Sequence, residues 1–284
     1  LVANELGDDD ALNRIRAHRA AVDAHTGHTE NVAQTLEAAL SVAQANDDQI
    51  SQAAILYYMA CIMELIGDTE RAETFFRKTI AFSQTRGDMR LYSSASSNYA
   101  NLLDNLGRID EAEAMYSESM RICRQLGNRA NMAYLAGNLA FLYANSGRYD
   151  EAMTQYEIAI KGTRDIGNKR AEAYVVGNMG DLYISLGRLG EAAGHLKQAI
   201  DLCDQHGDLL GAGAFRGSLG LILAKKGDLA LALETVQRGA EQLAGLDLIE
   251  QGKIMCKQGQ IELLNGQEKG AQRSLEQAQE LALK

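Results

Sequence analysis

The sequence contains no proline and no tryptophan, and only 6% of its residues are aromatic. Proline is the residue that most strongly interrupts a helix, and the chain lacks it entirely. Alanine, leucine, glutamate and glutamine are frequent instead, and these residues have high helix propensities. The composition therefore predicts a chain that is helical throughout.

Clusters of positive charge are also missing. The formal net charge is -10 at pH 7, and no local run of lysine and arginine offsets it. Proteins bind nucleic acids largely through cationic groups that neutralise phosphates. We therefore predict that nucleic acid is not a partner of this protein.

No apolar stretch approaches the roughly 20 residues that a membrane-spanning helix needs. The first residues include neither the basic segment nor the apolar segment of a signal peptide. Four cysteines are present, without the close pairing typical of metal sites: Cys61, Cys123, Cys203 and Cys256. We interpret them as small core-facing residues in a reducing compartment. The protein is thus expected to be cytoplasmic, with no membrane partner.

Catalytic and cofactor motifs are not recognisable. His195 and His206 have no serine or cysteine arranged beside them in a nucleophilic motif. Residues 211–217 are rich in glycine but lack the spacing of a dinucleotide-binding loop and follow no strand. Three histidines near the start have no matched cysteine or carboxylate set for a metal: His18, His25 and His28. We predict no catalytic residues, no cofactor and no metal.

Glycine, by contrast, recurs at a fixed interval. One series has a period of forty residues: Gly27, Gly67, Gly107, Gly147, Gly187 and Gly227. A second series with the same period lies halfway between its members: Gly87, Gly127, Gly167 and Gly207. Two interleaved turn markers indicate a two-element repeat. Such a repeat is typical of a solenoid, in which each unit buries its apolar face against its neighbours.

Each repeat is predicted to contain two helices. Within residues 128–167, the first helix runs to about Asn145 and the turn contains Gly147. The second helix carries one apolar stripe: Ala152, Tyr156, Ala159 and Ile160. Matching stripes occur one period earlier and one period later. The glycines of the second series are followed by residues that cap a helix: Asp88, Asn128, Asn168 and Asp208.

The order of these residues resembles the tetratricopeptide repeat. Leu139, Ala140 and Tyr143 on the first helix precede the turn glycine, and Ala152 and Tyr156 follow it. The resemblance covers essentially the whole chain, although the period exceeds the usual 34 residues and the early tryptophan and final proline are missing. It implies an all-α fold: a tetratricopeptide-type α-solenoid, forming a right-handed superhelix of about seven helix-turn-helix repeats.

We predict that residues 1–284 form a single array of such repeats. Their approximate bounds are 8–46, 47–87, 88–127, 128–167, 168–207, 208–246 and 247–284. The last segment, from Gln267, is expected to be a capping helix, because Ala271, Leu275 and Ala278 form one narrow stripe between polar residues.

Tetratricopeptide arrays line their concave face with the first helix of each pair, at fixed offsets before the turn glycine. Carried over to this sequence, the resemblance implies a partner-binding groove of amide, aromatic and acidic residues: Tyr58, Asn98, Asn101, Asp104, Tyr134, Asn138, Asn145, Tyr174, Asn178 and Asp181. Arg90 and Arg170 lie one turn earlier. They are candidates for groove charge or are simply exposed arginines at helix starts.

A carboxylate clamp of the kind found in some members of the family needs lysine or arginine on neighbouring first helices. The central groove positions supply none. Such a clamp could form only near a terminus, from Lys225, Lys253 and Lys257 or from Arg14 and His18.

Asparagine recurs at one register of the first helix, as Asn98, Asn138 and Asn178. It is a poor residue in the middle of a helix, because its side chain competes for backbone hydrogen bonds. Two interpretations stay open. The amides either bond to the backbone of an extended peptide or form a ladder that ties adjacent first helices together.

The Gly137-Asn138 and Gly177-Asn178 pairs are similar to those of Leu-Gly-Asn repeat scaffolds and of bacterial signalling modules. This resemblance implies a protein-protein interaction scaffold that binds a peptide or helical segment of a partner. The alternative is an effector-sensing regulatory module for a short peptide or small molecule, within a larger signalling protein. The sequence starts at Leu1, which is compatible with such a larger protein. Glycines inside helices either ease bending or permit close packing: Gly177, Gly180, Gly217 and Gly220.

Overall fold

The computed structural model describes residues 32–283, which form thirteen α-helices and no strand. The packing divides the chain into two compact units, Leu1–Asn131 (unit 1) and Met132–Lys284 (unit 2). The sequence predictions for residues 1–31, including those for Arg14 and the three N-terminal histidines, lie outside the described residues. The single array and its repeat bounds stay predictions.

The helices follow one another with short turns. In unit 1 they are α1 (Val32–Ala45), α2 (Gln49–Leu65), α3 (Thr69–Arg86), α4 (Met89–Asn105) and α5 (Ile109–Gln125). Helix α6 (Arg129–Asn145) begins in unit 1 and continues into unit 2. The others are α7 (Tyr149–Asp165), α8 (Lys169–Ser185), α9 (Leu189–Gln205), α10 (Leu209–Lys225), α11 (Leu229–Leu243), α12 (Leu248–Leu264) and α13 (Glu268–Ala282). The all-α tetratricopeptide-type solenoid fold predicted from the sequence is confirmed.

Glycine closes the turn inside each helix pair. Gly67, Gly107, Gly147 and Gly187 have φ values of 80°, 74°, 76° and 72°, as the prediction of turns at these positions requires. This left-handed conformation strains residues that carry a Cβ atom. At Gly107 the turn is closed by two backbone hydrogen bonds, from Gly107 N to Asp104 O at 2.9 Å and from Arg108 N to Leu103 O at 2.8 Å.

Side-chain caps begin the first helices. The carboxylates of Asp88 and Asp208 accept from the backbone N–H groups of Leu91 and Gly211 at 3.1 and 3.0 Å. The amides of Asn128 and Asn168 accept in the same way from Asn131 and Ala171 at 3.1 and 3.0 Å. All four capping residues predicted from the sequence are confirmed. Each satisfies a backbone donor that has no partner within its helix.

The predicted stripe of α7 is buried, and Ala152 is completely inaccessible. Alanine occupies the same register of four other second helices and is equally buried: Ala72, Ala112, Ala192 and Ala232. In the last helix, Ala271 and Ala278 are buried, but Leu275 keeps 43% of its surface exposed. Leu275 packs against Gly259 of α12, where an added Cβ atom would lie 3.2 Å from Leu275 Cγ.

Enlarging Ala152 should destabilise the protein. Ala152→Leu inserts three carbons at a buried contact, so we expect the free energy of unfolding to fall by about 1 to 3 kcal/mol. Glu157→Gln, on the exposed side of the same helix, should change it little. Urea denaturation followed by circular dichroism measures both. Equal losses for the two variants would mean that the buried face of α7 lies elsewhere.

The glycines inside first helices serve close packing. A Cβ atom at Gly180 would lie 2.9 Å from Leu196 Cγ, and one at Gly220 would lie 3.2 Å from the carbonyl oxygen of Ala232. Both contacts join the two helices of one pair. Of the two interpretations open from the sequence, the structure supports packing.

None of the helices described between residues 32 and 283 has the length and apolar character that crossing a bilayer requires.

Candidate functional site

The first helices place one residue at the same register, nine positions before each turn glycine. We call these residues the ninth-position row: Tyr58, Asn98, Asn138, Asn178, Ser218 and Lys257. Tyr58 and Asn98 belong to unit 1, and the other four belong to unit 2. The chemistry of the row therefore changes along the chain from phenol to amide, hydroxyl and ammonium.

In unit 1, Asn98 connects two first helices. Its Nδ2 donates to Tyr57 Oη at 2.8 Å, and it lies 3.5 Å from Cys61 Sγ. Burial raises the pKa of both Tyr57 and Cys61, so both stay protonated at neutral pH. Tyr58 is half-buried, with its ring centroid 5.9 Å from that of Tyr57. For Asn98 the structure supports the ladder interpretation.

The remaining unit 1 candidates are also held by the fold or placed at its surface. Asn101 accepts a hydrogen bond from the hydroxyl of Tyr116, which joins the two helices of one pair. Asp104 is half-buried, and burial raises the pKa of its carboxyl. Arg90 is exposed in the first turn of α4.

In unit 2, Asn178 is half-buried, and across residues 32–283 its amide has no hydrogen-bond partner. The difference from Asn98 follows from one residue in the preceding repeat. Asn98 bonds to Tyr57, whereas the equivalent position before Asn178 is Gly137, which has no side chain to offer. Asn138 is half-buried in the same row.

Aromatic side chains also lie on the first helices of unit 2, to which Asn178 belongs. Tyr134 and Phe141 of α6 keep 54% and 46% of their surfaces exposed. Tyr174 of α8 is half-buried and packs edge-on against Phe215, with ring centroids 5.8 Å apart. The Phe215 ring occupies the space where a Cβ atom of Gly177 would lie. Asn145 is exposed at the end of α6.

Arg170 has a partner inside the fold. Its Nε donates to Asp208 Oδ2 at 3.0 Å, although 70% of its side chain is exposed. The carboxylate of Asp208 also caps α10 and lies 3.4 Å from Tyr174 Oη. Burial raises the pKa of Tyr174, and the Asp208 charge adds to this effect. Arg170 and Asp208 thus connect the starts of α8 and α10.

Three helices contribute to a charged cluster at the other end of the row. Lys257 Nζ of α12 donates to Ser218 Oγ of α10 at 3.1 Å. Burial lowers the pKa of Lys257, and the Asp181 charge opposes that effect. Burial raises the pKa of Asp181, while Lys257 and Ser218 act to lower it. The sequence analysis predicted Asp181 as a groove residue but did not name Ser218, which the same offset before Gly227 would have identified.

Comparison with known families and structures agrees with this architecture. The family model described as tetratricopeptide repeat matches residues 91–165 and 129–205. A second model, described as anaphase-promoting complex subunit 5, matches residues 8–65. No curated protein matches the sequence.

Solved structures match nearly the full length. A signal transduction ATPase with a tetratricopeptide repeat sensor from Pyrococcus horikoshii shares 16% identity at a TM-score of 0.75, over 93% of this chain and 41% of that one. Aspartyl phosphate phosphatase F from Bacillus subtilis shares 11% at 0.78, over 99% and 74%. A Rap protein complexed with competence and sporulation factor shares 16% at 0.69, over 93% and 71%.

At these identities the similarity to solved structures shows the fold alone. The family model adds a sequence match over the central repeats, where the glycine turns, the buried alanine of the second helix and the asparagine row all lie. Residues 91–205 therefore match the tetratricopeptide repeat in sequence, and the solved structures share the fold over nearly the whole chain.

Proposed function

We propose that unit 2 binds an extended segment of a partner protein along the exposed side of its first helices. We call this side the first-helix face: Tyr134, Phe141, Tyr174, Asn178, Asp181 and Lys257. The observation that carries the proposal is the half-buried amide of Asn178, which has no partner within residues 32–283.

An amide offers one acceptor oxygen and two donor hydrogens, which match the N–H and C=O groups of an extended peptide. In the middle of a helix, asparagine lowers stability relative to alanine, and Asn178 gains no hydrogen bond that would offset the loss. A bound backbone would supply that bond. A ligand thus accounts for the asparagine at this position better than the fold does.

Exposed aromatic rings support a protein ligand. Tyr134 and Phe141 lie two helical turns apart on one side of α6, and both are largely accessible. Large aromatic side chains contribute strongly to protein interfaces, because they bury much surface with few rotatable bonds. They would receive apolar side chains of the bound segment on either side of the amide contact.

The proposal gives different roles to the two units. Asn98 and Asn101 bond to tyrosines of their own unit, so they serve the fold. Tyr58, Asp104 and the exposed Arg90 stay candidates for additional contacts. The main recognition is assigned to unit 2.

The matched pair Asn98→Ala and Asn178→Ala tests the proposal. Each variant gains about 0.5 kcal/mol of helix propensity. Only Asn98→Ala loses a hydrogen bond, because it removes the donor to the hydroxyl of the half-buried Tyr57, at a cost of about 1 to 3 kcal/mol. We therefore expect Asn98→Ala to be less stable than the wild type and Asn178→Ala to be at least as stable.

Partner binding should show the opposite order. The segment to titrate comes from a partner captured by the wild-type chain and identified by mass spectrometry. Its affinity should fall about tenfold in Asn178→Ala and stay unchanged in folded Asn98→Ala. If Asn178→Ala loses stability and keeps full affinity, the amide belongs to the fold and the proposal is wrong.

The alternative function is a sensing module for a short peptide. It is favoured by two of the solved structures, one described as a tetratricopeptide repeat sensor and one complexed with competence and sporulation factor. The same Asn178 amide would hold such a peptide. Saturating binding by a free peptide, with no gain from the surrounding partner protein, would favour the sensor over the scaffold. Cytoplasmic location, lack of catalysis and lack of a cofactor stay predictions.

A further inference from the structure

Two opposite charges lie on the first-helix face without neutralising each other. Asp181 belongs to α8 and Lys257 to α12, and Ser218 of the intervening α10 interacts with both. Lys257 Nζ donates to the Ser218 hydroxyl at 3.1 Å. In the described part of the chain, no ion pair joins Lys257 to Asp181 or to any other carboxylate.

The position of Lys257 depends on Gly217. A Cβ atom at Gly217 would lie 3.1 Å from Lys257 Cδ and 3.3 Å from Ile254 Cγ1. Because glycine leaves this space open, the lysine stem lies across α10 and carries its ammonium group back toward α8. The ammonium group of Lys257 therefore lies at α10, the next first helix after α8. Its own helix, α12, is the second first helix after α8.

The nearby residues Glu250 and Lys253 do not neutralise Asp181 or Lys257. Glu250 and Lys253, in the first turns of α12, are bonded to each other at 2.7 Å. Glu250 acts on both Asp181 and Lys257 through its charge, and Lys253 acts on Lys257. Asp181 is exposed and Lys257 is half-buried, and neither has a counterion in contact among residues 32–283.

Resting on the proposed function, we infer that the first-helix face selects peptides of one charge pattern, with a basic residue opposite Asp181 and an acidic residue opposite Lys257. The two ligand charges would supply the counterions that Asp181 and Lys257 lack. Complementary charges of this kind contribute specificity and orientation, so the pattern would also fix the direction in which the segment lies.

The geometry limits the spacing of the two ligand charges. Packed helix axes lie about 8 to 10 Å apart, and an extended chain advances about 3.3 Å per residue. Since the Lys257 ammonium lies over α10 and Asp181 lies on α8, the basic and acidic residues should be about two to three positions apart. Two positions also places both side chains on the same side of an extended segment.

A displayed library of random decapeptides, selected on the immobilised full chain and sequenced, tests the inference. Four single variants are selected in parallel. Asp181→Asn and Lys257→Gln remove the charges with little change of shape. Asp201→Asn and Lys197→Gln remove the same charges from exposed positions on the second helix α9 and serve as matched controls. Melting temperatures within about 2 °C of the wild type confirm that each variant is folded.

On the wild type, peptides with a basic and an acidic residue two to three positions apart should be enriched at least tenfold over the starting library. Asp181→Asn should abolish only the preference for the basic residue. Lys257→Gln should abolish only the preference for the acidic residue. The control variants should select as the wild type does. The inference would be wrong if the enriched peptides lacked the charge pattern, or if the pattern were unchanged in both variants. The proposed peptide-binding function would still stand in either case. If no peptide is enriched on any chain, the proposed function fails as well.

Discussion

Asp204→Ala should lower the free energy of unfolding by about 2 to 4 kcal/mol, whereas Arg216→Met should lower it by less than about 1 kcal/mol. The two residues form one ion pair, in which Arg216 donates to Asp204 Oδ2 and Oδ1 at 2.5 and 3.2 Å. The side chain of Arg216 is only 6% exposed, against 34% for Asp204. Removing the carboxylate leaves a buried cation whose remaining partner is the Gln242 amide.

Removing the arginine is expected to be mild for two reasons. The Asp204 carboxylate is exposed enough to be hydrated, and methionine fills a similar volume. Met255 occupies the equivalent position of α12, and Val176 occupies that of α8.

Denaturant titrations of both single variants and of the double variant measure these effects. The double variant should recover most of the stability that Asp204→Ala loses. If Arg216→Met lowers the free energy of unfolding more than Asp204→Ala does, the buried Arg216 charge stabilises the fold and the expectation is wrong.

Gly177→Ala should destabilise the protein by about 1 to 3 kcal/mol. The added Cβ atom would overlap the ring of Phe215, which is 5% exposed and packs against Tyr174. The ring can move only by disturbing the neighbouring first helix. A better helix former at position 177 therefore gives a less stable protein.

Gly194→Ala provides the matched control. Gly194 also lies inside a helix, but its missing Cβ atom faces open space. This variant should be stabilised by about 0.5 to 1 kcal/mol, because alanine has the higher helix propensity. Thermal and urea denaturation of both variants give the sign of each effect. A destabilised Gly194→Ala would mean that propensity does not control the exposed positions.

The helices could be predicted well from the sequence because each repeat contains the turn glycine and the capping residue that end and begin its helices. The turns at Gly67, Gly107, Gly147 and Gly187 and the cap at Asp88 depend on interactions within a few residues of the chain. Local rules therefore suffice for them. The two compact units were not predicted, since a continuous period carries no sign of where packing changes.

The candidate site was harder to predict for a physical reason. Asn98 and Asn178 occupy the same register, yet one is bonded to a tyrosine and the other is unbonded. The difference depends on Tyr57 and Gly137, each about one repeat earlier in the chain. Only the packed structure shows which side chains meet across neighbouring helices. The Lys257 to Ser218 contact was missed likewise, because it depends on the open space at Gly217.

The turn glycines also affect how the length of the chain can change. A Cβ atom at Gly187 or Gly227 would meet nothing within 4 Å, so each turn needs a conformation and no particular neighbour. The turn itself therefore places no requirement on which repeat follows it. Removal of residues 188–227 would join α8 directly to α11, with Gly180 facing the small residue Ala232 as it now faces Ala192. We therefore expect that the chain tolerates removal or addition of residues in whole steps of forty.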